Sequence, residues 1–516
     1  PASSLTIYSF LITACTQCAF GIAVLSGLRA NAQIVPDTTL GAESSRVQAI
    51  NAIFDRIEGG AQRGSALFHS FREFSVLDGH SAYFASPAAI NTIFSRVTGE
   101  NISNILGTLG INGSANLVFI NPNGVVFGPN ARLDIPGSFF VTTANQVQFP
   151  DGSVFSAVNP AAPPLLTIDV PVPVGLVFAG DSSGRIYNQA DLAVGGDLSF
   201  QAGEIVSAGS LTATGQINLT TQGSTSLTLK GSTSPKETVS GDIVITGSTD
   251  SPSLLANTAT LNASNDLILT ETAIGTQGDL NITAENMVIM RDSVTHPLQV
   301  VAGQDLAITG KQGVDIFALN HPQSSLVSGR DMVLRAPNAV GGDAHFWSGG
   351  SFRIEDLAGD LGNLKSPYDP IIYSLGDVSL NSYTGRSLHI IAGGSVQLAG
   401  TTEIVASDPT EGIQEEIQLS NSEIIQIDGT TEPTLDVRAG VDSNYIPTPK
   451  ISNSLQLLIT GNSSTPTSAD IKIDDVLIYD QFNFSGGKVL ITNQYFKNSR
   501  LSGDITVNSI DARDYY

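Results

Sequence analysis

Cysteine is almost missing from this sequence of 516 residues. It occurs at Cys15 and Cys18 and nowhere later. A disulfide framework is thereby excluded for everything beyond the first thirty residues. Basic charge is also scarce. Lys and Arg total 24 against 48 Asp and Glu, giving a net charge of −24. Binding nucleic acid needs a basic face, so nucleic acid is not an expected partner. Tryptophan occurs once and histidine six times, and no two histidines stand at a metal-ligand spacing. No cofactor and no metal site are expected. After Leu28, long apolar runs and sustained helical periodicity are missing too. The best helix candidates are the segments 44–60 and 86–97, where apolar residues recur at three- and four-residue intervals.

What remains is turn chemistry and short alternating runs. There are 51 Gly, and stretches of three to six alternating residues are separated by Gly, Asn, Asp and Pro. "LVFINPNGVVFGPNARLDI" (117–135) is an example. Asn121-Pro122-Asn123-Gly124 suits a type I turn, and Gly128-Pro129-Asn130 suits the next corner. Three short strands around one coil are predicted.

An internal repeat of the form Gly-x-Asp-apolar-x-apolar supports this. It reads "GGDLSF" at 195, "QGDLNIT" at 277, "GQDLAIT" at 303 and "GRDMVLR" at 329, with relatives at 264, 375 and 393. The apolar residue after Asp falls at Leu267, Leu280, Leu306 and Met332, with gaps of 13, 26 and 26. A period in the twenties with short strands marks a solenoid, because one unit cannot bury its own apolar face. The fold class expected is all-β, a right-handed parallel β-helix with loop excursions. At roughly 20–26 residues and ~4.8 Å per coil, the rod would be on the order of 100 Å long. Excursions are expected at 159–175, 356–374, 406–429 and 463–467.

The start is different. Leu5 to Leu28 is apolar and is followed by Ala30-Asn31-Ala32, a small-x-small site. Residues 1–32 read as a secretory signal peptide cut before Gln33. An N-terminal membrane anchor is the competing reading. Ile12-Thr13-Ala14-Cys15 is similar to a lipobox, but more apolar sequence and a better cleavage site follow it.

Residues 60–144 carry a further signal in "LFHSF", "SRVTG", "SNILGTLG" and "INPNGVVFGPNA". These motifs resemble the N-terminal secretion domain of filamentous haemagglutinin-type exoproteins, the passengers of two-partner secretion, in a form similar to cyanobacterial members. The resemblance implies a secretion domain over 33–180, capping a β-helical repeat region over 181–516 that continues past the end of this sequence. It implies a partner, an outer-membrane β-barrel transporter with POTRA domains. It also implies passage through the periplasm and a final place outside the cell or on its surface. In that family an Asn-Pro-Asn-Gly motif is one of two recurring signatures, and it maps onto Asn121, Pro122, Asn123 and Gly124. The second signature maps onto Ser86-Pro87-Ala88-Ala89, with Ser86 standing where Asn is usual. Both are candidate export motifs, acting by transporter recognition or as structural turns.

The function expected is therefore that of an exported exoprotein, adhesin-like or a structural rod, with a cell-surface or carbohydrate ligand as a further partner. The alternatives are a β-helical carbohydrate-active enzyme and a stalk for an effector domain beyond residue 516. Enzymatic sites on β-helices need converging carboxylates. Asp474-Asp475 is the only Asp-Asp pair, and neighbours on a strand face opposite ways. No catalytic residue is assigned. Trp347, in "GGDAHFWSGG", is expected to be a packed aromatic, with sugar binding the alternative.

Overall fold

The computed structural model describes residues 34–160, 177–179, 184–221, 242–246, 252–410, 412–419, 421–459, 465–480 and 487–512. The signal peptide expected at 1–32, with Cys15 and Cys18, lies outside the described residues, as does most of 159–175.

Each alternating run forms a strand, and each strand hydrogen-bonds in parallel to the strand one coil earlier. Along one face the partners run from Leu67 through Leu117, Leu198, Leu280, Met332 and Val396 to Ile505, fifteen strands in unbroken register. Two further faces stack the same way. One includes Gly124–Phe127, Arg185–Asn188 and Leu267–Thr270, and the other Leu192–Val194, Gln299–Ala302 and Leu388–Ala392. The molecule is a parallel β-helix with one continuous apolar core from Ile34 to Ile478. Each buried Leu or Ile in the column contributes about 1.5–3 kcal/mol, and no coil could collect that alone. Fifteen strands at ~4.8 Å give a rod of about 70 Å. It is shorter than the sequence suggests because excursions absorb chain without adding coils.

The Gly-x-Asp repeat acquires a physical meaning in the stack. Oδ1 of Asp279 accepts the backbone N–H of Asp305 at 3.2 Å, and Asp305 accepts that of Asp331 at 3.0 Å. Asp331 in turn accepts from Ser351 at 2.7 Å, and Asp470 from Asp504 at 2.8 Å. Each carboxylate thus satisfies a donor of the next coil, beyond shaping its own turn. The glycine two residues earlier lets the corners approach. A Cβ on Gly303 would stand 2.1 Å from Gln277 O, and one on Gly329 the same distance from Gly303 O. One spacing was misleading. Leu267 pairs with Ile243 and Val288, whereas Leu280 pairs with Ala259 and Leu306. The gap of 13 crosses from one face to another within a coil and is no period. True steps between Leu280 and Val396 are 18 to 26 residues.

At the N-terminal end, Ile34–Pro36 and Ala61–Arg63 pair antiparallel with Ala66–Phe74, and Ser45–Asn51 forms a hairpin with Phe54–Gly59. This cap closes the first coil. It replaces the helix expected over 44–60. Sheet pairing of Phe54–Gly59 with Ser81–Ala85 satisfies the backbone along the solenoid, which a helix there could not do. The helix expected over 86–97 is likewise a turn followed by strand Thr92–Val97, buried at every position between its neighbours in the stack. An outer antiparallel sheet of Gln146–Gln148, Val154–Ser156 and Val177–Ala179 covers the outside of this region. Its Phe149 and Phe155 pack on Phe68 and Phe94.

The excursion expected over 356–374 is mostly regular coil. Leu364–Ser366 and Ile371–Ser374 occupy ladder positions, and only the turn around Asp356–Asp360 leaves the stack. The 406–429 segment does leave it, as the hairpin Gln414–Gln418 with Ile424–Asp428. A larger departure follows Thr434–Arg438. The chain runs back along the third face as a strap over 441–459. Trp347 Nε1 donates to Pro447 O at 2.9 Å, and Ser452 N donates to Gln299 Oε1 at 3.3 Å. Leu455, on the one-turn helix Asn453–Gln456, and Leu458 pack on Val301, Val327 and Trp347. The lone tryptophan is therefore a packed aromatic with its indole N–H satisfied.

Candidate functional site

Strand Asn116–Ile120 ends where the chain turns from the first face to the second. Gly124 N donates to Asn121 O at 3.1 Å and closes the four-residue turn. Asn121 is fully buried. Its Nδ2 donates to Asn101 O at 3.1 Å and to Ser103 Oγ at 2.9 Å in the coil below. Its Oδ1 accepts from the N–H of Asn123 at 3.0 Å and from Asn123 Nδ2 at 3.1 Å. Its own N–H donates to Thr142 O in the coil above. A short side chain that both accepts and donates is needed here, and Asn is the residue that does so with this reach. Gly124 has φ +125°, and a Cβ there would stand 2.8 Å from Arg185 O, so both its backbone conformation and the next coil demand glycine. Asn123 is exposed, yet its amide donates to Gly99 O at 2.8 Å. The corner is thus closed around its own polar atoms.

Ser86 and Pro87 lie at a different corner, between Ser81–Ala85 and Thr92–Val97. Ser86 N donates to Asn112 O at 3.3 Å, and Ile90 N donates to Pro87 O at 2.9 Å. Pro87 is exposed and Ser86 half-buried. The fold does not bring the two motifs together: they share no contact partner and sit on separate edges of the coil.

Two groups in the same domain have partners that the sequence does not show, although His69 itself is expected to pack or hydrogen-bond there. Arg96 is buried, donating from Nε to Ser70 Oγ at 2.9 Å, from Nη1 to Ser156 O at 2.8 Å and from Nη2 to Thr39 Oγ1 at 2.8 Å. Its guanidinium lies 4.2 Å from the centroid of the Phe155 ring. It ties the turn after the first strand, the first coil and the outer sheet to one point. Nearby Asp37 accepts from Thr39, Ser70 and Thr98. Burial would raise its pKa, but these donors together hold it below the ordinary carboxylate value. His69 is also fully buried, with Nδ1 3.1 Å from Ser45 Oγ. Burial pushes its pKa down to about 3, so it is neutral at physiological pH. No sequence signal could have found these, because the partners stand 24 to 60 residues apart.

A few charged residues of the distal rod form a buried cluster. His389 lies 3.2 Å from Asp369 Oδ2 and 3.1 Å from Asp436 Oδ2. Burial opposes its charge, but Asp369 and Asp436 prevail and raise its pKa to about 9. Asp436 also receives Arg438. Asp474 and Asp475 are on strand Ile471–Ile478, where Asp475 Oδ1 accepts from Asn508 and Ser509 of the following coil. Among the described residues no three His, Cys, Asp or Glu side chains are arranged to hold a metal ion.

A family model described as the TPS secretion domain matches residues 32–226. Among solved structures the chain is similar to the crystal structure of the HMW1 secretion domain from Haemophilus influenzae. The identity is 13% and the TM-score 0.30, over 72% of this chain and 94% of that one. A comparison with curated proteins finds no match. Residues 32–226 contain the cap, the Asn121 corner and the Arg96 network. The match identifies residues 32–226 as a TPS secretion domain, and such a domain supports a two-partner secretion exoprotein of the TpsA type.

Proposed function

We propose that this exoprotein crosses the periplasm unfolded, is captured there by POTRA domains of its transporter, and folds outside into an adhesin-like or structural rod. The observation that carries the reading is the ladder. Each coil completes its hydrogen bonds and its apolar core on the coil before it, so the rod can grow as the chain emerges. With no cysteine beyond Cys18, nothing covalent stops threading.

In this reading Asn121, Pro122, Asn123 and Gly124 form the export motif, with Ser86 and Pro87 a secondary turn. Asn121 is out of reach in the folded corner and its polar atoms are spent. That supports capture before the corner closes, since a partner meeting the folded domain would touch only Pro122 and Asn123. The test is expression in a bacterial host with an outer membrane, with and without the transporter. Surface or medium appearance is expected only with it. Equal export without the transporter would end this proposal. A second arm measures binding of isolated POTRA domains to chain diluted from urea and to refolded chain; capture before folding predicts binding to the first only.

A further inference from the structure

On the third face of the distal rod, three separate departures from the ladder meet around one groove of about 270 Å³. The hairpin segment supplies Gln414 and Glu415, the strap Tyr445 and Pro447, and the last turns Tyr495. Tyr373 and Arg438 come from the ladder strands beneath. The sequence brings these residues from positions more than a hundred apart, and the same segments share a small buried apolar cluster that includes Ile391, Ile417, Ile427, Val441, Ile446 and Tyr495.

The groove is chemically mixed. Tyr445 is 51% exposed, and its ring is backed by Phe496, with centroids 4.0 Å apart and planes 1° from parallel. Phe496 has φ +36°, a left-handed conformation that a bulky side chain adopts only when its surroundings impose it, and such strain gathers at binding sites. At the floor, Arg438 is 2% exposed. Its Nε and Nη2 donate to Asp436, and Nη2 also to Glu415. Its Nη1 makes no hydrogen bond among the described residues, and the guanidinium lies over the Tyr495 ring, 4.4 Å from its centroid. Tyr495 donates to Glu415 Oε1 at 3.2 Å, which leaves the carboxylate able to accept more from its half-exposed side. The groove thus offers an aromatic plate, a free cationic donor and a free acceptor, with Arg438 and Glu415 balancing in charge.

We propose that this groove binds a neutral sugar unit of a glycan. A pyranose has an apolar face for Tyr445 and a ring of hydroxyls that both donate and accept, matching Glu415, Arg438 and the Tyr373 hydroxyl. The volume lies just below the roughly 300–1,000 Å³ of pockets for larger ligands, which suits one ring rather than a chain of them. An acidic sugar is disfavoured, because Glu415 stands in the groove, Asp436 behind it, and the whole chain carries −24. The site does not depend on the export route and can be tested on purified protein.

The experiment applies the purified full chain to an array of neutral, sialylated and sulfated glycans. Hits are followed by saturation-transfer NMR with free galactose, glucose and N-acetylglucosamine. Retention of a neutral glycan is expected. Tyr445→Ala should weaken it about tenfold or more, with thermal unfolding little changed because the side chain is half exposed and packs on the surface ring of Phe496. Tyr373→Phe, which removes one hydroxyl and little volume, should weaken it severalfold. No glycan retained, retention of charged glycans alone, or binding indifferent to both substitutions would each overturn the proposal.

Discussion

Replacing Asn121 by Ala removes four side-chain hydrogen bonds at one buried point. The Asn123 Nδ2 donor is at an exposed position and regains water. Asn101 O, Ser103 Oγ and the Asn123 N–H are left short of a partner. At about 1 kcal/mol net for each neutral bond, the three amount to about 3 kcal/mol, against well under 1 kcal/mol for Asn123→Ala at the surface. The assay is urea unfolding of the purified chain, followed by protease sensitivity at the 99–124 corner, because a stacked array need not unfold in one step. Export with the transporter is measured in parallel. Asn121→Ala is expected to open the corner and Asn123→Ala to leave it closed, while both reduce export if the unfolded motif is read. Should Asn121→Ala unfold at the same urea concentration as the parent, the bonding described for this corner would be wrong.

Three other outcomes are expected. The two buried histidines act in opposite directions with pH. His69, depressed to about 3 in the folded chain, gives stability that is complete above about pH 6.5 and is lost as pH falls toward 3. His389, raised to about 9, gives stability that is complete below about pH 6.5 and is lost as pH rises through 9. Hydrogen exchange should therefore show the secretion domain loosening first in acid and the coils around 369–438 first in alkali, and His69→Phe should flatten the acid limb alone. Arg96→Met should cost about 3 kcal/mol or more and free the outer sheet, seen as new proteolysis within 146–160. Leu458→Asp should detach the strap, read as increased fluorescence quenching of Trp347 by acrylamide.

The ladder was legible because its chemistry is local: a glycine, often a hydrogen-bonding Asp, and an alternating strand recur where many of the coils begin. The Asn121 turn was legible for the same reason. What the turn holds was not, since Ser103 and Asn101 become neighbours only after one coil lies on another. His389 shows the limit clearly. It looked isolated in sequence, and its partners Asp369 and Asp436 stand 20 and 47 positions away. The 44–60 segment misled because Val47, Ile50, Ile53, Phe54 and Ile57 fit a helical face. The hairpin buries Ile57 and leaves Ile50 and Ile53 in solvent, a choice decided by backbone pairing. The strap carried no repeat, so periodicity could say nothing about where it lies.

That strap alters how the rod can come apart. A bare stack of coils frays from its free end, each coil released independently once its neighbour has gone. Here Ser452 grips Gln299 and Pro447 grips Trp347, links that reach 153 and 100 residues back. Pulling or melting the last coils must first break those links, and breaking them uncovers Val301 and Val327. The coils between Gln299 and Arg438 are thereby linked to one another across the stack, and they are expected to open as a group where a bare stack would release one coil at a time.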